Sequence, residues 1–300
     1  MFATLVVASM TGISFVVGLT VQLLYILFLG PVLIFFEGVR ELLLAEMSFR
    51  LFNSIFTVWL NPFWRVKILR PWPSAALSKL PKANRIIVVS NHLSGLDPWI
   101  VAATTWPVKL KYVYKASLKN IPIAGYALSF TGDLAVSFTK EKGGWGVDAE
   151  SIRKMMQRAR HLLEIGIGIC VFPEGTRSLS GRLQPFKDGF FRLAVDCPDT
   201  HVVPMAMMNT NKAWPVKGNL ISCATIFVVF GDPISCSGKT VDALKKEVRD
   251  AVAELQRQTP GYDPEKHGPM DPSAFAETRG HGPEEDLSQR SRPPSPAKSR

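Results

Sequence analysis

The sequence predicts an α/β protein: a central, mostly parallel or mixed sheet flanked by helices, carried on an N-terminal membrane helix or two-helix hairpin. Three observations predict it. Short β-branched runs such as RIIVVS (85–90) and GICVF (168–172) alternate with amphipathic helical stretches, as layered α/β folds require. No charged residue occurs before Glu37. Residues 261–300 are rich in Pro, Ser and charge and poor in large apolar groups, so disorder is expected there. The 300 residues therefore divide into a membrane-anchoring helical segment (1–69), a linker (70–84), an α/β body (85–260) and a disordered tail (261–300).

As one helix, residues 1–36 would be roughly 54 Å long, against a hydrocarbon core of about 30 Å. Gly18, Gly30 and Pro31 are places for it to bend or break. ELLLAEMSFRLFNSIFTVWLNPFW (41–64) is apolar over most of its surface, yet spaces Glu46 and Arg50 so that they pair on a helix. Trp59 and Trp64 close it with rings that settle at a lipid–water boundary. Residues 4–60 read either as one span plus an interfacial helix or as a two-helix hairpin dipping into one leaflet. A cleaved signal peptide fits less well, because no basic n-region precedes the apolar run and the run is too long. A buried core helix seldom stays uncharged for such a length.

RPWPSAALSKLPKAN (70–84), with three prolines and a turn to polar character, reads as the linker. RIIVVS is a buried strand; NHLSGLDPWIVAATTW (91–106) turns and enters a helix, Pro98 being tolerated in the first turn. KYVYKA (111–116) and DLAVSF (133–138) read as further strands. In DAESIRKMMQRARHLLEIG (148–166), Ile152, Met155, Met156, Ala159, Leu162 and Leu163 recur at helical spacing, with Asp148 as cap and Gly166 as stop. Arg153, Lys154, Arg158 and Arg160 fall off that stripe and form a solvated face. GICVF, HVVPMAMM (201–208) and TIFVVF (225–230) are strands, and VDALKKEVRDAVAELQRQ (241–258) is a final amphipathic helix.

A hydrophobic fraction of 47% and a mean hydropathy of +0.12 are high for a soluble protein, and the N-terminal run supplies the excess. The net charge is +10; residues 261–300 hold six Lys/Arg and seven Asp/Glu, so the first 260 carry +11. That balance suits an anionic membrane surface or a phosphorylated substrate. No Arg-rich helix or stacking-aromatic motif favours nucleic acid as a partner. Arg40, Arg50, Arg65, Lys67 and Arg70, flanking the apolar segment, favour a body on the cytosolic side. Cys170, Cys197, Cys223 and Cys236 lack C-x-x-C spacing and read as reduced core thiols, neither a disulfide framework nor a zinc site.

Several chemistries are excluded. Gly238-Lys239-Thr240 looks like the end of a phosphate-binding loop, but position 233 is Pro where that motif needs Gly. Neither G-x-S-x-G nor H-E-x-x-H occurs. NHLSGLD (91–97) and FPEGTRS (172–178) remain, each just after an apolar strand, where α/β folds place working residues. A lone histidine is most often a satisfied structural group. On a regular helix His92 and Asp97 would point roughly 140° apart, so they meet only if the chain turns at Ser94-Gly95. A carboxylate on one ring nitrogen would fix the tautomer and leave the other nitrogen free to take a proton. In FPEGTRS, Gly175 admits close backbone approach and Arg177 offers a planar fork for phosphate; Glu174 could orient that arginine or bind a substrate hydroxyl. Alone, E-G-T-R is equally an ordinary turn with a surface arginine.

On these residues the chain resembles the 1-acylglycerol-3-phosphate acyltransferase family, lysophospholipid and glycerol-phosphate acyltransferases that share a His-x-x-x-x-Asp motif. The likeness runs from about residue 84 to 235: NHLSGLD, FPEGTRS, PFKDG (185–189), VVPM (202–205) and GDPI (231–234). It implies direct acyl transfer from acyl-CoA, a co-substrate, to a lysophospholipid hydroxyl, with no other cofactor and no metal. It further implies His92 as general base, Asp97 as its orienter, and Glu174, Gly175, Thr176 and Arg177 as binders of the acceptor's phosphate, assisted by Lys187. Phospholipid synthesis at an endoplasmic-reticulum membrane is the implied setting. One position departs: Phe138 stands where the family's second block carries Arg, so Lys140 or Lys142 would have to substitute, or the acceptor would be another lysophospholipid or glycerol 3-phosphate. A non-catalytic lipid-binding protein of the same fold is the rival reading.

Overall fold

The computed structural model describes residues 1–80, 85–141, 144–197, 199–217 and 220–268. The end of the expected linker (81–84) and the tail from 269 onward lie outside the described residues, as does Lys142. The body is built on a mixed sheet. Its strands are β1 (Trp64–Arg70), β2 (Ile86–Ser90), β3 (Leu110–Lys115), β4 (Leu134–Val136), and, after a separate hairpin of β5 (Phe138–Glu141) and β6 (Gly144–Val147), β7 (Gly168–Val171), β8 (His201–Met208), β9 (Ala224–Phe230) and β10 (Ile234–Ser235). They are ordered β1-β9-β8-β2-β7-β3-β4, and β10 pairs with the start of β8. From β8 across to β4 every pairing is parallel; β9 runs antiparallel to β8, and β1 parallel to β9. Central β2 is buried on both faces, which is why its sequence shows no polar alternation. Ile86 and Val88 join a core with Ile100, Met205 and Val228, while Ile87 and Val89 join another with Leu162, Phe191 and Val248.

Two helices precede the sheet. α1 (Phe2–Phe35) passes unbroken through Gly18, Gly30 and Pro31, and the chain turns only at Phe36. The next run, α2, begins as Glu37–Glu41, widens to a π-helix over Leu42–Arg50, makes one α-turn at Leu51–Asn53 and ends as a π-helix over Ser54–Trp59. The two pack antiparallel. Gln22 donates to the carbonyl of Leu44, Ser14 Oγ to Asn53 Oδ1 (2.8 Å), and Thr57 Oγ1 to Thr11 Oγ1 (3.4 Å). A Cβ on Gly18 would sit 2.9 Å from the Ser48 carbonyl, so glycine permits the close crossing. The two helices form an antiparallel pair, and α1 is long and apolar enough to cross a bilayer by length and composition.

The longer helices after the hairpin are α3 (Asp97–Thr105), α4 (Ala124–Phe130), α5 (Ala149–Glu164), α6 (Gly189–Asp196) and α7 (Val241–Arg257). Asp148 caps α5 by accepting from Ser151 N (3.0 Å), and Gly166 ends it at φ +78°. Thr240 caps α7 through Ala243 N (3.3 Å). Three boundaries differ from the sequence reading. WRVKILR, read as the basic flank of the membrane segment, is edge strand β1: Trp64-Arg65-Val66-Lys67-Ile68 alternates as a strand does, but its exposed arginines and lysine resemble a juxtamembrane basic stretch. The expected linker contains a short helix, Ser74–Leu77, whose Leu77 is buried in the core. At the other end the ordered chain continues past 260 to a turn of helix at Pro264–His267, held where Arg182 donates to the carbonyls of Glu265 and Lys266.

Candidate active site

Because β2, β7, β3 and β4 run parallel, their C-terminal ends share one edge of the sheet, where the two singled-out loops emerge. The chain leaves β2 without helical structure and enters α3 only at Asp97, so it makes the turn that the His–Asp pair requires. His92 Nδ1 lies 2.7 Å from Asp97 Oδ2. The same oxygen accepts from the backbone N–H groups of Leu93 (2.6 Å) and Ser94 (2.8 Å). Asp97 is fully buried; these donors converge on Oδ2, and Oδ1 has no hydrogen-bond partner among the described residues. With a carboxylate there, Nδ1 carries the hydrogen and Nε2 is left as the basic atom. The imidazole stacks on Phe172, ring centres 4.3 Å apart and planes 19° apart, which fixes its tilt.

The second loop is laced to the first. Glu174 Oε1 accepts from His92 N (2.7 Å) and Oε2 from Gln184 N (3.0 Å), while Ser178 N donates to His92 O (2.7 Å). The buried carboxyl group of Glu174 is thus engaged by two backbone amides, one on each oxygen. Burial raises its pKa to about 8 against the opposing pull of those amides.

Arg177 is exposed and lies over the first loop; a Cβ on Gly95 would be 3.8 Å from its Nη1. Gly175, at φ +73°, leaves room for Lys187, whose Nζ would come within 2.6 Å of a Cβ there. Thr176 Oγ1 is 3.3 Å from Gln184 Oε1. Among the described residues neither Arg177 nor Lys187 has an ion-pair partner: one uncompensated cation lies over Gly95 of the His92 loop and the other against Gly175 of the second loop. Such a pair suits an anion's oxygens. Phe138 is 38% exposed, with the Lys115 ammonium 5.9 Å from its ring centre.

Two residues escaped the sequence reading. Asn91, fully buried, extends the β2–β8 pairing with its side chain: Nδ2 donates to Met207 O (2.9 Å) and Oδ1 accepts from Met207 N (2.8 Å). A polar residue closing an apolar strand was the available signal for Asn91, and an aromatic just ahead of the P-E-G-T-R turn was the signal for Phe172. Cys170, Cys197 and Cys236 are buried and Cys223 is exposed, the one departure from the core-thiol reading. Burial raises the thiol pKa of Cys236 to about 12 and that of Cys170 further, leaving neither poised as a nucleophile.

A mixed α/β sheet carries a His–Asp loop and a cationic loop at one edge, and over this region the family model described as Acyltransferase matches residues 75–208. More particularly, the chain resembles 1-acylglycerol-3-phosphate acyltransferases. It is 30% identical over 200 residues to two proteins named as chloroplastic 1-acyl-sn-glycerol-3-phosphate acyltransferases, LPAT1 of Arabidopsis thaliana and BAT2 of Brassica napus. Each alignment covers 66% of this chain and 51% or 53% of the relative, so the chain spans about half the length of these curated relatives. Its fold is similar to the crystal structure of the 1-acyl-sn-glycerophosphate (LPA) acyltransferase PlsC from Thermotoga maritima. The TM-score is 0.58 at 21% identity, over 84% of this chain and 98% of that one.

Proposed function

We propose that the chain transfers an acyl group from acyl-CoA to the free hydroxyl of lysophosphatidic acid, giving phosphatidic acid for phospholipid biosynthesis. The observation that carries this is the His92–Asp97 pair, its second ring nitrogen free, beneath the unpaired Arg177 guanidinium. His92 Nε2 takes the hydroxyl proton as the oxygen attacks the thioester carbonyl; Asp97 steadies the imidazolium. The C–S bond breaks, the CoA thiolate recovers the proton from His92, and an ester remains. Arg177 and Lys187, with Gly175 and Thr176 shaping the turn, hold the acceptor's phosphate. Acyl-CoA enters as co-substrate and no further cofactor is needed.

The hairpin seats the body on a membrane, where acceptor and product both reside. An endoplasmic-reticulum-type membrane with the body on the cytosolic side is part of this proposal, supported by the +11 charge of the first 260 residues; cell fractionation with protease protection tests it, since the plant relatives are named as chloroplastic. Phe138 favours one second reading, a lysophospholipid with another headgroup or glycerol 3-phosphate as the acceptor. Release of free CoA thiol from oleoyl-CoA, across a panel of such acceptors, decides. Lysophosphatidate should give the highest kcat/KM, and His92→Ala should lower turnover by about 10²–10⁴ while leaving membrane insertion intact. No thiol release with any acceptor would leave a non-catalytic lipid-binding protein.

A further inference from the structure

The apolar surface of α1 does not end with the hairpin. After β3 the chain runs through a 3₁₀ turn, Ala116–Asn120, to a corner at Ile123 just before α4. Leu118, Ile121, Ile123 and Tyr126 are all exposed, Tyr126 by 69%. Ile123 sits at φ +64°, a conformation that costs a β-branched residue about 1–3 kcal/mol. What that strain secures is an apolar side chain turned outward, so packing within the body does not explain it.

The segment is held from behind. Gly125 lies so close to the Lys119 carbonyl that a Cβ would stand 1.9 Å from it. Ala127 is fully buried, and its carbonyl accepts from Gln22 of α1 at 3.2 Å. That contact ties α4 to α1 at Gln22, next in sequence to the exposed Leu23 and Leu24, with exposed Leu27 one turn on. Since β3 and β7 run parallel to β2, the segment also leaves the sheet at the edge that carries His92 and Arg177.

The chemistry of the patch selects its occupant. Aliphatic side chains, a tyrosine and the exposed Lys119 are the mixture that settles at the headgroup–acyl boundary, where a lysine extends to phosphate. A second copy of a chain whose first 260 residues carry +11 would be repelled; an anionic leaflet would be attracted. We propose that residues 116–126 are a membrane-inserting segment of the body, seated beside α1 in the boundary layer of an anionic bilayer, and that lipid reaches the His92 edge across it. The delivery half rests on the function proposed above; the insertion half does not.

The test uses the full chain with Cys223→Ser and Ile121→Cys, its other three cysteines being buried, labelled with the fluorophore NBD. The protein is placed in phosphatidylcholine–phosphatidylglycerol vesicles containing lipids spin-labelled near the headgroup. A label at 121 should be quenched several-fold more than one introduced at exposed Ser237 on the same background. Equal quenching at both positions would overturn the proposal, as would a label shielded through cross-linked dimers. Ile121→Asp with Tyr126→Asp should raise KM for long-chain lysophosphatidate in vesicles several-fold at nearly constant kcat, and an unchanged KM would remove the delivery half. If the label inserts but no acceptor turns over, the enzymatic reading falls and insertion stands; turnover with an unquenched label has the reverse meaning.

Discussion

Glu174 holds the two functional loops in register, and its ionisation sets a pH signature. A carboxyl pKa raised from 4.5 to about 8 means that the fold favours the neutral form. The stabilisation this gives is fully present below about pH 4.5, shrinks as pH rises, and is gone above about pH 8, by up to about 1.4 kcal/mol per pH unit in between. Glu174→Gln keeps one acceptor but turns an amide NH₂ toward a backbone N–H, and should destabilise by about 1–3 kcal/mol at pH 5. Thermal melts from pH 5 to 8 should show the gap between wild type and variant narrowing as pH rises; a constant gap would mean the carboxyl does not titrate as placed. Arg177 makes a separate prediction. Replacing its fork by lysine removes one charge-assisted bond to phosphate and should raise the acceptor KM about tenfold with kcat nearly unchanged. Initial-rate kinetics reads this directly, and a fall in kcat alone would contradict a binding role. His92, Asp97 and Arg177 were legible because chemistry left them at strand ends with polar character. The clamp by Glu174 was not, since its partners are backbone amides that any residue supplies.

The hairpin meets the sheet through ions as well as apolar contacts. Arg50 of α2 bridges Glu46 on its own helix and Asp133 beyond α4, and lies 4.8 Å over the Tyr112 ring. Lys111 of β3 meets Glu41 and the Thr131 carbonyl. All five charged groups are buried. Spacing revealed the Glu46–Arg50 pair but not its burial, because Asp133 is 83 residues away from Arg50 along the chain. Arg50→Met would strand two carboxylates and should destabilise by about 3–5 kcal/mol, whereas adding Glu46→Leu should recover part of it. Denaturation in detergent micelles measures both; an Arg50→Met variant as stable as wild type would show the network to be solvated. Strand β1 was misread for the converse reason, an edge strand whose outward arginines and lysine look like a juxtamembrane basic stretch.

Sequence divides this chain into anchor, linker and body, but the contacts run across those divisions. Phe15 of α1 and Phe49 of α2 both pack against Trp99 of α3, with ring centres 5.5 and 5.9 Å apart. Val7 and Val58 lie in one core with Ile100, Val101 and Tyr112 of the body. Composition marks the hairpin as apolar on nearly every side, which is the reason that its sheet-facing side could not be told from its lipid-facing side. The hairpin therefore covers α3 and the Lys111–Tyr112 part of β3, and a body cut free of residues 1–62 would expose that apolar surface and leave Lys111 and Asp133 without Glu41 and Arg50. An apolar face of that extent, with two unpaired buried charges, drives association. The truncated chain should elute as aggregate in size-exclusion chromatography, bind an apolar dye strongly and lack a cooperative melt. A monodisperse fragment that unfolds cooperatively would show instead that the hairpin is only a tether, and that the edge carrying His92 and Asp97 keeps its shape without it.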